Sequence, residues 1–114
     1  MLVVEDDAGL RLALEHGLAA EGFDVAVASD TASACEQAAG GRPDVVLLDW
    51  GLPDGDGRAA CHRVREAHPD ARIVMLTGRA DGGDAARDAG AEAFLVKGIA
   101  LEDLAGELRR VLAR

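Results

Sequence analysis

Four separated places in this 114-residue chain hold groups that could work together on a phosphoryl group: the acidic run Glu5-Asp6-Asp7, then Asp49, Thr77 and Lys97. Each follows or ends a short aliphatic run, at Leu2–Val4, Val45–Leu48, Ile73–Leu76 and Ala93–Val96. Carboxylates of Glu5, Asp6 and Asp49 drawn close together repel one another unless a cation neutralises them or one is protonated. Hard oxygen ligands with room for water suit Mg²⁺. A carboxylate beside such a cation can attack phosphorus in line and form an aspartyl phosphate. Lys97 and Thr77 can then hold the oxygens of the transferred group. Taken singly, these residues are ordinary: an acidic run after a strand is commonly a solvated helix start, and a lone Thr or Lys at a strand end is commonly surface. Their shared position at strand ends carries the reading.

The aliphatic runs, with a further one at Asp24–Ala28, predict five strands, three of them apolar almost throughout, as when both faces are covered. Helix-period segments alternate with them. Leu10, Leu14 and Leu18 form one stripe, and Asp30 or Thr31 can cap a second helix that ends at Gly40-Gly41. A third helix is predicted over Arg58–Ala67, with Ala60, Val64 and Ala67 inward, and a fourth over Gly83–Ala89. The last carries Leu101, Leu104, Leu108 and Leu112 as its stripe, with acids early and Arg109, Arg110 and Arg114 late, an order that suits the helix dipole. Strands and helices in alternation predict an α/β, three-layer, doubly wound parallel sheet. Ligands of such sheets bind at the carboxyl ends of the strands, where the acids, the hydroxyl and the amine lie.

Composition narrows the class further. Twenty-one acidic residues against 12 basic give a formal charge of −9, so counterion release from nucleic acid is closed to the chain and direct nucleic-acid binding is not expected. Nothing approaches the roughly 20 apolar residues of a membrane span. Cys35 and Cys61 have no metal-ligand spacing, so a cytoplasmic protein with two reduced thiols is expected. Both cysteines are expected to pack as small apolar groups. His16, His62 and His68 are unclustered on predicted helices, where surface or partly buried roles are expected. The Asp54–Gly57 run fails as an EF-hand loop, since Arg65 stands where the closing glutamate belongs, and no Walker motif is present. Trp50 is read as a loop side chain beside Asp49 that should report on the site.

Over essentially its whole length, residues 1–114 taken as one domain, the chain resembles the receiver domain of bacterial two-component response regulators. The stretches that carry the resemblance are Val3-Val4-Glu5-Asp6-Asp7, Val45-Val46-Leu47-Leu48-Asp49-Trp50-Gly51-Leu52-Pro53-Asp54-Gly55-Asp56-Gly57, Ile73-Val74-Met75-Leu76-Thr77-Gly78 and Gly90-Ala91-Glu92-Ala93-Phe94-Leu95-Val96-Lys97. It implies a flavodoxin-like (βα)5 sandwich with strand order 2-1-3-4-5. It implies that Asp49 accepts a phosphoryl group from a phosphohistidine on a histidine kinase or phosphotransfer protein. It further implies Mg²⁺ held by Asp6, Asp49, Glu5 and the Gly51 carbonyl, with Thr77 and Lys97 on the phosphoryl oxygens and Phe94 as the aromatic switch. Such a module catalyses only its own phosphorylation and dephosphorylation, and passes the signal to an effector domain or downstream protein. Two other classes stand beside it: a phosphorylation-independent interaction domain of similar shape, and a Mg²⁺-dependent phosphohydrolase with an aspartate nucleophile.

The chain departs from the family's usual pattern in places. Gly98 replaces the common proline after the lysine, which predicts a trans or locally rearranged Lys97–Gly98 link, because a cis bond without proline costs about 3–4 kcal/mol. Glu92-Ala93 stand where winged-helix regulators carry an Asp-Asp pair, and Glu107 where they carry an arginine, so a phosphorylation-driven dimer through that face is not expected. Gly51 and Arg79 occupy the positions at which the family tunes dephosphorylation. Gly51 offers no side chain to orient water, which predicts a long-lived phosphorylated state.

Overall fold

The structure is a computed structural model and describes residues 1–53, 56–78 and 88–114. In chain order the described elements are β1 (Leu2–Val4), α1 (Ala8–Ala20), β2 (Ala26–Ala28), α2 (Thr31–Gly41), β3 (Val45–Asp49), α3 (Gly57–Ala67), β4 (Arg72–Thr77), β5 (Ala93–Val96) and α4 (Leu101–Leu112). The helix predicted over Gly83–Ala89 falls almost wholly outside the described residues, as do Arg79, Asp54 and Gly55.

All five strands are parallel, in the order β2-β1-β3-β4-β5. Alternation along the strands divides the core into two layers, because successive side chains leave opposite faces of a sheet. Leu2, Val4, Val46, Leu48, Ile73 and Met75 pack with Ala34 and Ala38 of α2 and Ala60, Cys61 and Val64 of α3. Val3, Val45, Leu47, Val74 and Leu76 pack on the other side with Leu14 and Leu18 of α1 and Leu104, Ala105, Leu108 and Val111 of α4. The charged faces of the helices close the sandwich.

Local chemistry sets where the helices begin. Asp7, Asp30 and Asp56 cap α1, α2 and α3, each accepting from a backbone N–H three residues on, at 2.8–2.9 Å. The start of α4 lacks a side-chain cap and instead places Glu102 and Asp103 in its first turn, with Arg109 and Arg110 in the last.

Several expectations are corrected. β2 starts at Ala26 rather than Asp24, because its only partner, β1, offers three residues for pairing. As expected, α2 ends at the Gly40-Gly41 pair, with Gly41 its last residue, and Arg42 takes the left-handed conformation (φ 47°, ψ 58°) that commonly closes a helix. α3 ends at Ala67 as expected, with His68, ahead of Pro69, outside it as the C-cap, because the α region is disfavoured before proline. His68 is also buried, with ring Nε2 2.9 Å from the Pro43 carbonyl, so Nε2 carries the proton. In α4 the buried stripe is Leu104, Ala105, Leu108 and Val111, with Leu101 and Leu112 at its margins.

Candidate functional site

The sheet order places the ends of β1 and β3 side by side at its centre, with β4 and then β5 beyond. Glu5 follows β1 directly, and its N–H donates to Ala28 O at 3.0 Å, which carries the β1–β2 pairing one residue further. Asp49 ends β3 and Thr77 ends β4. The Lys97 N–H donates to Thr77 O at 2.6 Å, which fixes the lysine just past the end of β5. The anticipated residues therefore meet at one edge.

Glu5 and Asp49 are buried, at 1% and 3% exposure, and Thr77 is at 5%, whereas Asp6 is exposed. One carboxylate oxygen from each of Glu5, Asp6 and Asp49 lies within 4.8 Å of the others. Lys97 Nζ sits between the two buried acids, 3.1 Å from Glu5 Oε1 and 3.2 Å from Asp49 Oδ1. Asp49 Oδ1 also accepts from the Gly51 N–H at 3.1 Å, and Glu5 Oε2 from the Asp7 N–H at 3.1 Å. Glu5 Oε1, otherwise without a hydrogen-bond donor, has the lysine as its ion-pair partner.

These contacts set the protonation pattern. Burial pushes the Glu5 carboxyl up, against the pull of the Asp7 N–H and Lys97, and the charge of Asp49 adds to the rise. Asp6 is held below the ordinary aspartate value, first by a hydrogen bond from Glu5 and further by Asp49 and Lys97. Burial pulls Lys97 down, but its contacts with Glu5 and Asp49 outweigh that, and the ammonium is stabilised overall. The site thus holds an excess of negative charge only partly offset by one lysine.

A hard divalent cation fits this donor set: three carboxylates converge, two of them buried, and all donors are oxygen. The bond that follows Lys97 is trans, and Gly98 adopts φ 98°, a rearrangement open to glycine. Phe94 is half-buried on the α2–α3 side, opposite Met75 in the β4–β5 ladder. Trp50 is half-buried rather than a free loop side chain and packs against the same layer.

Sequence reasoning passed over Arg11. Its Nη1 donates to Glu5 O at 2.9 Å and to Asp6 O at 3.3 Å, so one guanidinium fastens the backbone that presents both acids. A signal was present: Arg11 is the sole arginine or lysine of α1 and follows the acidic run by little more than a helical turn.

The family description that matches the chain is the response regulator receiver domain, over residues 1–109. Response regulator MprA of Mycobacterium sp. (strain KMS) is 38% identical, the match covering 100% of this chain and 50% of that protein. MprA of Mycobacterium leprae (strain TN) is 37% identical, with 100% and 51% covered. The chain therefore spans about half the length of the curated relatives it matches. Among solved structures, the receiver domain of NtrX from Brucella abortus superposes with a TM-score of 0.90 at 28% identity, covering 98% of this chain and 97% of that one. The chemotaxis protein CheY4 of Vibrio cholerae gives 0.88 at 30% identity, with 96% and 95% covered.

Proposed function

The chain belongs to the response regulator receiver domain family of two-component signalling, and from that premise we propose that Asp49 is its phosphoacceptor. The observation that carries the proposal is the lysine ammonium 3.2 Å from Asp49 Oδ1, beside three converging carboxylates, two of them buried, that could hold a divalent cation. One carboxylate oxygen of Asp49 is occupied by Lys97 and the Gly51 N–H, which orients the side chain for attack by the other. Glu5, Asp6, Asp49 and the Gly51 carbonyl are the ligands proposed for Mg²⁺. The cation, when bound, offsets the charge that gathers on the transferred group.

Lys97 and Thr77 are assigned to the phosphoryl oxygens. Thr77 ends β4 and Phe94 lies on its neighbour β5, so a threonine drawn toward the phosphoryl group vacates space that the aromatic ring can take. The phosphoryl group then biases two conformations of the β5 surface. The module acts on itself alone and takes its phosphoryl group from a histidine kinase or phosphotransfer protein. Output through an effector domain or separate partner accords with relatives of twice the length. A charge of −9 and the absence of a spanning helix among the described residues favour a cytoplasmic module that contacts neither nucleic acid nor membrane.

The test is intact-mass analysis after incubation with acetyl phosphate and Mg²⁺. One phosphoryl adduct per chain is expected, absent without divalent cation and absent in Asp49→Asn. A folded wild-type chain that stays unlabelled, a labelled Asp49→Asn, or steady turnover of a small phosphate ester overturns the proposal.

A further inference from the structure

Glu92 stands one residue before β5, at the opposite end of that strand from Lys97. Its Oε2 accepts from the Ile73 N–H at 2.5 Å, and its own N–H donates to Ile73 O at 2.8 Å. One residue of the approach to β5 thus closes a ring on one residue of β4, and the charged acceptor makes the first of these bonds a strong one. Arg65 of α3 holds the other carboxylate oxygen at 3.5 Å and the Gly90 carbonyl at 2.6 Å. Arg114 Nη1 donates to Glu92 O at 3.2 Å.

The ring sits at the entry to β5, where burial gives little alignment. β5 is an edge strand of four residues, and none of them is fully buried. Register is strongly specified by burial of one face, and a slip of one residue would turn every side chain to the other face. With Glu92 closed on Ile73, the next pair is Val74 with Ala93, and the ladder ends with Thr77 opposite Val96. Lys97 follows, its ammonium 3.1 Å from Glu5 and 3.2 Å from Asp49.

We propose that Glu92 is a positioning residue for the phosphorylation site: by locking the register of β5 on β4 it sets the place of the Lys97 ammonium. This rests on the assignment of Asp49 as phosphoacceptor. Glu92 acts through the strand, at the far end from the reacting groups.

The experiment uses the full 114-residue chain, with Glu92→Ala and Glu92→Gln compared with wild type. Labelling rate with acetyl phosphate and Mg²⁺ affinity by Trp50 fluorescence are read on each. Glu92→Ala should slow labelling about tenfold or more, as expected when a catalytic group is displaced by around 1 Å. Its Mg²⁺ affinity should be kept or raised, because Glu5, Asp6 and Asp49 belong to the β1 and β3 ends and a displaced ammonium no longer competes for them. Glu92→Gln keeps an oxygen for the Ile73 N–H and should recover most of the rate. A folded Glu92→Ala with wild-type rate, an equal loss of rate and Mg²⁺ affinity, or a Gln variant no better than Ala overturns the proposal. If Glu92→Ala does not fold, Arg65→Met frees the carboxylate on one side only. Slower labelling with Mg²⁺ affinity kept or raised in that variant supports the proposal, and any other result overturns it.

A second readout needs no phosphoryl transfer. Lys97→Met should raise the unfolding constant of the wild-type chain but change it little in a background where Glu92 has been released, because residues that act as a unit are not additive. Additive effects overturn the proposal. A wild-type chain that is never labelled would count against the phosphoacceptor assignment and leave this comparison to decide the role of Glu92.

Discussion

The indole of Trp50 lies against Gly57 so closely that a Cβ on the glycine would fall 2.3 Å from Cδ2 and 2.4 Å from Cε3 of the ring. Trp50 is the residue after Asp49, and Gly57 is the first residue of α3. Their contact joins the end of β3 to the start of the helix that covers it. A rigid ring cannot yield as the tip of an aliphatic side chain can.

Gly57→Ala should therefore displace Trp50 and cost about 1–3 kcal/mol, the range for overpacking a close contact. Urea unfolding gives the cost, and a shift in Trp50 emission reports the displacement. Unchanged stability together with unchanged emission would refute the contact. Gly40→Ala is the opposite case: nothing lies within 4 Å of its built Cβ and it sits within α2, so a gain of about 0.4–1 kcal/mol is expected.

Lys97→Met would leave Glu5 and Asp49 buried without their cation. Breaking a buried pair costs about 3–5 kcal/mol, and solvent reaching a lysine 31% exposed reduces this to about 1–3 kcal/mol. Mg²⁺ should stabilise this variant more than wild type, because the vacated charge is then offset by the metal alone. Thermal melts with and without Mg²⁺ would show it; equal shifts in both proteins would contradict it.

Gly51 contributes its N–H to Asp49 Oδ1 and has no side chain with which to hold water, although its Cβ position is only 3.9 Å from that oxygen. An amide placed there should orient attacking water and shorten the phosphorylated lifetime of Gly51→Asn about 3- to 10-fold, a modest share of what positioning can supply. Decay of the labelled species by mass analysis is the measurement. A decay rate equal to wild type removes this explanation.

The two cysteines should separate on alkylation. Burial pushes the Cys61 thiol up, and its Sγ donates to Ala89 O at 3.3 Å, whereas Cys35 is half-buried. Native protein treated with iodoacetamide at mildly alkaline pH should be modified at Cys35 first, with Cys61 reacting only as the chain opens. The raised thiol also fixes a sign. Its share of stability is fully present below the ordinary cysteine value and is lost as pH rises through the elevated one. Peptide mapping that finds Cys61 modified faster than Cys35 in the folded chain would count against this packing.

Much of the molecule was legible in the sequence because its signals are local. Short aliphatic runs gave the strands, leucine spacing gave α1 and α4, and an aspartate before a helical stripe gave the cap at Asp30. A doubly wound sheet gathers strand ends at one edge, so Glu5, Asp6, Asp49, Thr77 and Lys97 could be grouped from their positions after aliphatic runs. The errors have physical causes. The length of β2 was set by its partner β1, and the burial of His68 came with its ring nitrogen on the distant Pro43 carbonyl.

What the sequence by itself determined is thus the sheet, its layers and the chemical types delivered to its edge, because periodicity and strand ends are properties of neighbouring residues. Only the tertiary structure decided which side chains hold those groups in place. Arg11 on the carbonyls of Glu5 and Asp6, Trp50 against Gly57, and above all Glu92 on Ile73, 19 residues away, depend on three-dimensional closure. A carboxylate at position 92 has the same composition and spacing whether it faces water or a backbone N–H. Its partner exists only once β5 has paired with β4.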